Sequence, residues 1–339
     1  MYLPAPGLRR LSVTSHERWA AALTERAATY WTPARTDELL RGKAVAIRPA
    51  EGAVVLRALG ILDGDGQLPP QRVGKYFQVN HMIGTLAPTL ADLRARHPRL
   101  AVIDAGCGRS YLSTALAWCG AQVWDYPLEV LGIDRNPAVI AASAERVERA
   151  GLTDRMRFAA AAVDGLDLAA TWRARFGAEL PSAFAVLGLH ACDRASCDAI
   201  ALGVAAGAEL IAVAPCCQAE LAAGWAALAE ARADGALAPL WGAPHLRRET
   251  AAHVTDLMRL LLLRAAGYRA TALEFVPHEH TRKNTLLRAV RDRADPDAAA
   301  AYRALCAATG GVGLALADTL QRRSQSTYGD PSCGKCPAP

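Results

Sequence analysis

Short apolar runs and stretches of helical period alternate along most of this chain. Residues 100–103 (Leu-Ala-Val-Ile) form a brief run rich in branched side chains, the mark of a strand buried on both faces, and residues 112–118 carry apolar positions at the spacing of a helix packed on it. The couple recurs. A strand at 130–134 leads into a helix that opens with Asn136 as cap and Pro137 in its first turn and runs to Ala150. Strands follow at 157–162, 184–189 and 209–214, with a helix over 195–206 crossing between the last two. A helix over 251–265 and strands at 268–276 and 285–290 complete the series. The final two strands are close enough to pair as a hairpin, which makes the last strand antiparallel to the others. The pattern predicts an α/β fold with a doubly wound sheet.

The flanks read differently. Residues 1 to about 60 are mostly helical by pattern, with helical spacing over 17–30 and 53–62, and Asp63-Gly-Asp-Gly-Gln-Leu-Pro-Pro is turn chemistry that marks a boundary. Residues 75–95 read as a helix or two, broken near Pro88. Beyond Arg293, residues 296–320 give one or two helices interrupted by Gly310-Gly311, and the tail after Arg323 is polar and loose. The expected division is a helical segment over 1–70, an α/β domain over 75–293, a helical extension over 294–323 and a flexible tail over 324–339.

Composition narrows the class. With 339 residues, 52% hydrophobic and 21% charged, the chain can bury a full core and is not a disordered tail. No run of eighteen uncharged apolar residues is present and Met1-Tyr-Leu-Pro-Ala-Pro lacks a signal pattern, so the expected location is the cytoplasm and no membrane is involved. Nine scattered cysteines, an odd count, fit reduced thiols better than a disulfide framework. The net charge of +5 permits phosphate contacts without demanding them, and an arginine-rich composition explains it equally well. Arginines and Lys43 outnumber the acids in the first 50 residues, which leaves that segment as either an acceptor-recognition module or a solvated helical cap.

The chemistry is densest in the turn after the first strand, Asp104-Ala-Gly106-Cys107-Gly108-Arg-Ser110-Tyr111. Gly106 and Gly108 can take positive φ and admit a ligand against bare backbone, while the following helix points its amides and positive dipole end outward. Such a turn at a strand's carboxyl end is a nucleotide pocket. A dinucleotide fingerprint needs a third glycine where Tyr111 stands, and Asp104 would repel a diphosphate but attract an ammonium. A cationic ligand with a sugar fits better than NAD.

This turn resembles the first motif of class I S-adenosylmethionine-dependent methyltransferases, with Ser110 in place of the usual third glycine. The resemblance implies a Rossmann-like seven-stranded sheet and S-adenosylmethionine as cofactor. It puts Asp104 near the methionine amino group, lines the cofactor with Gly106, Cys107, Gly108, Ser110 and Tyr111, and assigns the ribose hydroxyls to Asp134. It sets Asp164 near the adenine, with Asp167 competing for that place. Lys75-Tyr-Phe-Gln78-Val-Asn80-His81 resembles a pattern of one methyltransferase branch in which this helix lies beside the cofactor, making Gln78 a candidate. Packing on the sheet explains Tyr76, Val79, Met82 and Ile83 equally well.

Three later strand ends are polar: Leu189-His190-Ala-Cys192-Asp193, Ala214-Pro215-Cys216-Cys217-Gln218, and His278-Glu-His280-Thr281-Arg282-Lys283-Asn284. Together, over about residues 75–290, they resemble the methyltransferase branch that includes eukaryotic enzymes methylating a ribose hydroxyl in the tRNA acceptor stem. RNA is the implied partner. The zinc-binding segments that precede this domain in the tRNA enzymes are replaced here by the helical N-terminus. His190 is the candidate general base, or a histidine hydrogen-bonded beneath the cofactor. Cys192, Cys216 and Cys217 with His190 could gather as zinc ligands; alternatively a Cys217 thiolate attacks a pyrimidine ring with Cys192 aiding release, or all are small residues shaping the pocket. No metal is assigned. His280, Arg282, Lys283 and Asn284 are the candidate substrate contacts, with Arg282 and Lys283 meeting phosphate if the acceptor is RNA. Cys333-Gly-Lys-Cys336 is half of a zinc or redox motif. The leading expectation is a methyltransferase acting on RNA; the alternatives are a small-molecule methyltransferase or a catalytically silent binding protein that keeps the cofactor fold.

Overall fold

The computed structural model describes residues 15–189, 194–215, 218–274 and 285–327. Seven strands form one sheet: β1 (Leu100–Ala105), β2 (Leu128–Asp134), β3 (Met156–Ala160), β4 (Phe184–Leu189), β5 (Leu210–Ala214), β6 (Tyr268–Glu274) and β7 (Thr285–Arg291). Their order is β3-β2-β1-β4-β5-β7-β6. The first five are parallel, and β7 lies antiparallel between β5 and β6 in the expected hairpin. The chain winds outward from β1 to β3, then returns to β4 on the other side of β1. That reversal opens a crevice beyond the carboxyl ends of β1 and β4, where open α/β sheets bind their ligands.

All six residues of β1 are buried because both faces of the sheet are covered. Leu100 and Val102 pack into one core, Ala101, Ile103 and Ala105 into the other. The first core lies under α1 (Ser15–Tyr30), α2 (Pro33–Leu40), α3 (Ala53–Ala58), α4 (Val73–Arg96), α5 (Tyr111–Gln122) and α6 (Pro137–Arg149). The second holds α7 (Leu168–Phe176), α8 (Arg194–Ala206), α9 (Glu220–Glu230), α10 (Ala238–Trp241), α11 (Pro244–Ala265), α12 (Ala298–Ala308) and α13 (Ala315–Thr327). None of the helices among the described residues is long and apolar enough to cross a membrane.

Several boundaries differ from the pattern reading. α4 runs unbroken through Pro88, because Pro88 and Gly84 both face solvent and water can take the carbonyl that the missing N–H leaves free. α2 was not anticipated; its signature is Thr32, which accepts a hydrogen bond from the Arg35 amide, followed by Pro33 in the first turn. α7, α9 and α10 lie in alanine-rich stretches where small residues blur the period. α11 starts at Pro244, seven residues earlier than its apolar pattern, and α13 continues to Thr327. The Gly310-Gly311 break between α12 and α13 stands as expected, both glycines at positive φ.

Candidate functional site

The turn after β1 is held from two sides, by β2 and by α6. The amides of Gly106 and Cys107 both donate to the Ile133 carbonyl at 2.8 Å, welding the turn to β2. From α6, Ser143 Oγ donates to the Gly108 carbonyl at 2.9 Å and the Arg146 guanidinium to the Arg109 carbonyl at 2.9 Å. Gly106 and Gly108 take φ of 76° and 50°, and a Cβ built on Gly108 would meet no atom within 4 Å. The backbone there borders open space. Ser110 also adopts the left-handed region, at φ 51° and ψ 36°, where glycine would sit without strain. Its hydroxyl is buried beside the Cys107 thiol.

This turn lines a cavity of about 280 Å³ together with the amino-terminal half of α4 and the end of β4. Asp104 closes its floor. Only 5% exposed, its carboxyl is pushed up to about 6 by burial, against the Ser113 hydroxyl that donates to it and with the Asp134 charge adding to the rise. A buried carboxylate short of a counter-charge invites a cationic ligand. The Cys107 thiol is also pushed up, by burial first and by Asp104 next, so this residue offers backbone rather than a thiolate.

Asp134 ends β2 behind the turn, not among the described lining residues. One carboxylate oxygen accepts from the Gly108 amide at 3.0 Å and the other from the Asn136 amide at 2.9 Å. Each oxygen keeps a lone pair for a further donor. The carboxylate therefore fixes the glycine turn and can still receive two hydroxyls.

α4 supplies the opposite wall through Lys75, Gln78, Val79 and Met82. Lys75 holds its ammonium 3.3 Å from the centre of the Tyr111 ring, and the Arg146 guanidinium lies 5.3 Å from the same ring. Partial burial would raise the Tyr111 phenol, yet Lys75, Arg109 and Arg146 together hold it below its ordinary value. No carboxylate pairs with these three cations among the described residues. The cavity mouth is thus positive around a buried negative floor.

Of the residues singled out from sequence, Gln78, Asp104, Gly106, Cys107, Gly108, Ser110 and Tyr111 come together on this one cavity. Asp164 stands in the exposed turn after β3, while its competitor Asp167 caps α7 by accepting from the Ala170 amide at 2.9 Å. Asn80 and His81 are not in the lining: Asn80 is buried behind α4, and His81 faces solvent. His190, Cys192, Cys216, Cys217, His280, Arg282, Lys283, Asn284, Cys333 and Cys336 lie outside the described residues. Sequence reasoning passed over Ser113, Ser143, Arg109 and Arg146. The available signal was a serine inside the otherwise apolar first turns of α5, and a Ser-x-x-Arg pair on one face of α6.

Residues 74–224 match the family model of a methyltransferase domain, a stretch that begins in α4 and ends in α9. Solved structures that this chain is similar to include magnesium protoporphyrin IX methyltransferase from Synechocystis with bound SAH, at 18% identity over 70% of this chain and 93% of that one, TM-score 0.37. The SAH-bound methyltransferase PaMTH1 of Podospora anserina is 14% identical over 85% of this chain and 100% of its own, TM-score 0.39. The METTL16 methyltransferase domain is 12% identical over 73% and 79%, TM-score 0.38. No curated protein matches the chain.

Proposed function

We infer that this chain, which carries a methyltransferase domain over residues 74–224, is an S-adenosylmethionine-dependent methyltransferase and that its acceptor is RNA. The observation that carries the first half is the cavity beyond β1: a buried carboxylate and two lining glycines at positive φ, Gly108 facing open space, at the reversal point of a sheet ordered β3-β2-β1-β4-β5-β7-β6. These residues fit the donor. Asp104 would hold the ammonium, the Gly106 to Gly108 backbone would lie along the donor, and Asp134 would receive the ribose hydroxyls on its free lone pairs. When bound, S-adenosylmethionine supplies a methyl group on a sulfonium, activated toward a nucleophile approaching in line.

The chain's own work is positioning and proton removal. The turn is fixed by Ile133, Ser143 and Arg146, so it meets a ligand already ordered. His190 follows Leu189, the cavity residue that ends β4, and is the proposed base for the acceptor's proton. Its near-neutral ordinary range suits that task.

RNA is favoured over a small acceptor by the cationic mouth. Lys75 and Arg109 line the cavity, Arg146 lies 5.3 Å from the ring centre of the lining residue Tyr111, and none of the three has a carboxylate partner among the described residues. Arg282 and Lys283 of the His-Thr-x-Lys-Asn turn are proposed to extend that contact to phosphates. Mass spectrometry of nucleosides from total RNA, compared between cells with and without this chain, is expected to reveal one methylated nucleoside that vanishes in its absence. An unchanged RNA profile, alongside tight calorimetric binding of S-adenosylhomocysteine, would redirect the assignment to a small-molecule acceptor.

A further inference from the structure

A second cavity, of about 490 Å³, lies among α1, α2, the segment after α2 and the first turn of α4. Four separate stretches of chain converge on it, and its walls are aromatic rings interleaved with cations. Tyr30 ends α1 and Trp31 follows it, Phe77 comes from α4, Arg35 from α2, and Arg41 and Lys43 from the segment after α2. Glu38 is the single acid in the lining.

The rings are held in place. The Trp31 indole donates to the Gly66 carbonyl at 2.8 Å, and Tyr30 meets Trp31 edge to face with ring centres 5.1 Å apart. The cations rest on the rings rather than on carboxylates: the Arg35 guanidinium 4.4 Å from the centre of Tyr30, the Lys43 ammonium 4.8 Å from that of Phe77. Neither Arg35, Arg41 nor Lys43 has an ion-pair partner among the described residues. Arg41 adopts φ 46° and ψ 44°, a left-handed conformation that favours glycine or asparagine.

Fixed π-faces beside unpaired cations are the elements of a single-stranded nucleic-acid platform, with rings for bases and ammonium or guanidinium groups for the adjoining phosphates. We propose that this pocket docks unpaired bases of the RNA acceptor, Tyr30 and Phe77 stacking bases while Arg41 and Lys43 meet the flanking phosphates. The assignment rests on the RNA reading above and gives the N-terminal helices a role in it. α4 joins the two sites: Val73 and Phe77 face the docking pocket, and Lys75, Gln78, Val79 and Met82 face the donor cavity on the far side of the helix. A strand engaging both spans about one helix diameter, roughly 10 Å.

The test uses the full chain, a fluorescein-labelled twelve-residue oligouridylate and unfractionated tRNA as probes, and anisotropy titrations at several salt concentrations. The double variant Arg41→Gly with Lys43→Ala touches only exposed side chains and relieves the strain at 41, so it folds. It is expected to bind both probes about tenfold more weakly and to lower the salt slope by about 1.4, the loss of two single-strand phosphate contacts. Tyr30→Ala is expected to weaken binding roughly 5- to 100-fold with the slope unchanged, the signature of lost stacking. S-adenosylhomocysteine affinity, read by calorimetry, stays at the parent value in both. If the parent binds RNA and these variants bind it equally well, the docking pocket is wrong and the RNA reading survives. If the parent binds neither probe, the RNA reading fails and takes the pocket with it.

Discussion

Asp104 sets function against stability at a single side chain. Its folded-state value of about 6 lies above the unfolded value of 3.8, so between roughly pH 4 and 6 the folded chain keeps a proton that the unfolded chain has released. The carboxyl therefore adds stability below that window and loses it as the pH rises through it. Asp104→Asn is expected to stabilise the ligand-free protein near neutral pH by up to about 3 kcal/mol, the free energy of a two-unit shift, while S-adenosylhomocysteine binding collapses. Denaturant titrations paired with calorimetry measure both: a less stable variant would overturn the raised carboxyl value, and one that binds normally would remove Asp104 from the donor site. Ser110 gives a milder case. Ser110→Gly removes a serine from the left-handed region and should raise stability by about 1–2 kcal/mol. If donor affinity falls at the same time, the hydroxyl is a ligand contact; thermal melts with and without S-adenosylhomocysteine separate the two effects. Asp104 and the glycines were legible because strand, turn and helix are contiguous in sequence. Ser113, Ser143 and Arg146 were not, because what gives them meaning is a partner brought close only by winding the sheet.

The element that joins the parts of this site is α4. Its face toward the cavity carries Lys75, Gln78, Val79 and Met82, while its back carries Tyr76, whose hydroxyl donates to the Ile47 carbonyl at 2.9 Å, and Asn80. The Asn80 carboxamide accepts from the Ile47 amide at 2.8 Å and donates to the Tyr76 carbonyl at 3.1 Å. Asn80→Ala leaves the buried Ile47 amide without an acceptor and is expected to cost about 1–3 kcal/mol in chemical denaturation. His81→Ala, one position on and exposed, should stay within about 0.5 kcal/mol of the parent. Equal effects from the two substitutions would mean that Asn80 does not hold the N-terminal segment. The sequence pattern around Lys75 and Gln78 pointed to this helix, and both residues line the cavity. It did not tell which polar face meets the cavity and which serves the back: Gln78 and Asn80 stand about 200° apart on the helix, but the sequence does not say what each face packs against. Pro88 misled for a related reason: a proline breaks a helix only where nothing can take up the carbonyl it frees, and solvent exposure is not visible in a dipeptide.

At the scale of the whole molecule, the turn at 63–70 reads as a boundary, yet the core runs straight through it. Leu23, Ile47, Val55, Leu56, Leu59, Ile61 and Leu62 are at most 1% exposed and belong to the same cluster as Leu86, Leu116 and Val130. α3 packs on both α5 and α6. Turn residues mark where a chain changes direction, not where its buried surface ends, which explains the discrepancy. The energetic consequence is large: seven fully buried side chains at about 1.5–3 kcal/mol each contribute roughly 10–20 kcal/mol before conformational entropy, comparable to the entire net stability of an ordinary domain. The N-terminal helices and the sheet should therefore unfold together. Scanning calorimetry of the full chain is expected to give a single transition for both, and a chain beginning at residue 71 is expected to lose that transition and to bind hydrophobic dyes, having exposed α4 and α5. A truncated chain that melts cooperatively near the parent temperature would make the N-terminal helices a detachable unit. The cavity beyond β1 would then owe nothing to them, whereas a shared core makes every shift of α1 to α3 a shift of α4, and so of the wall that α4 gives that cavity.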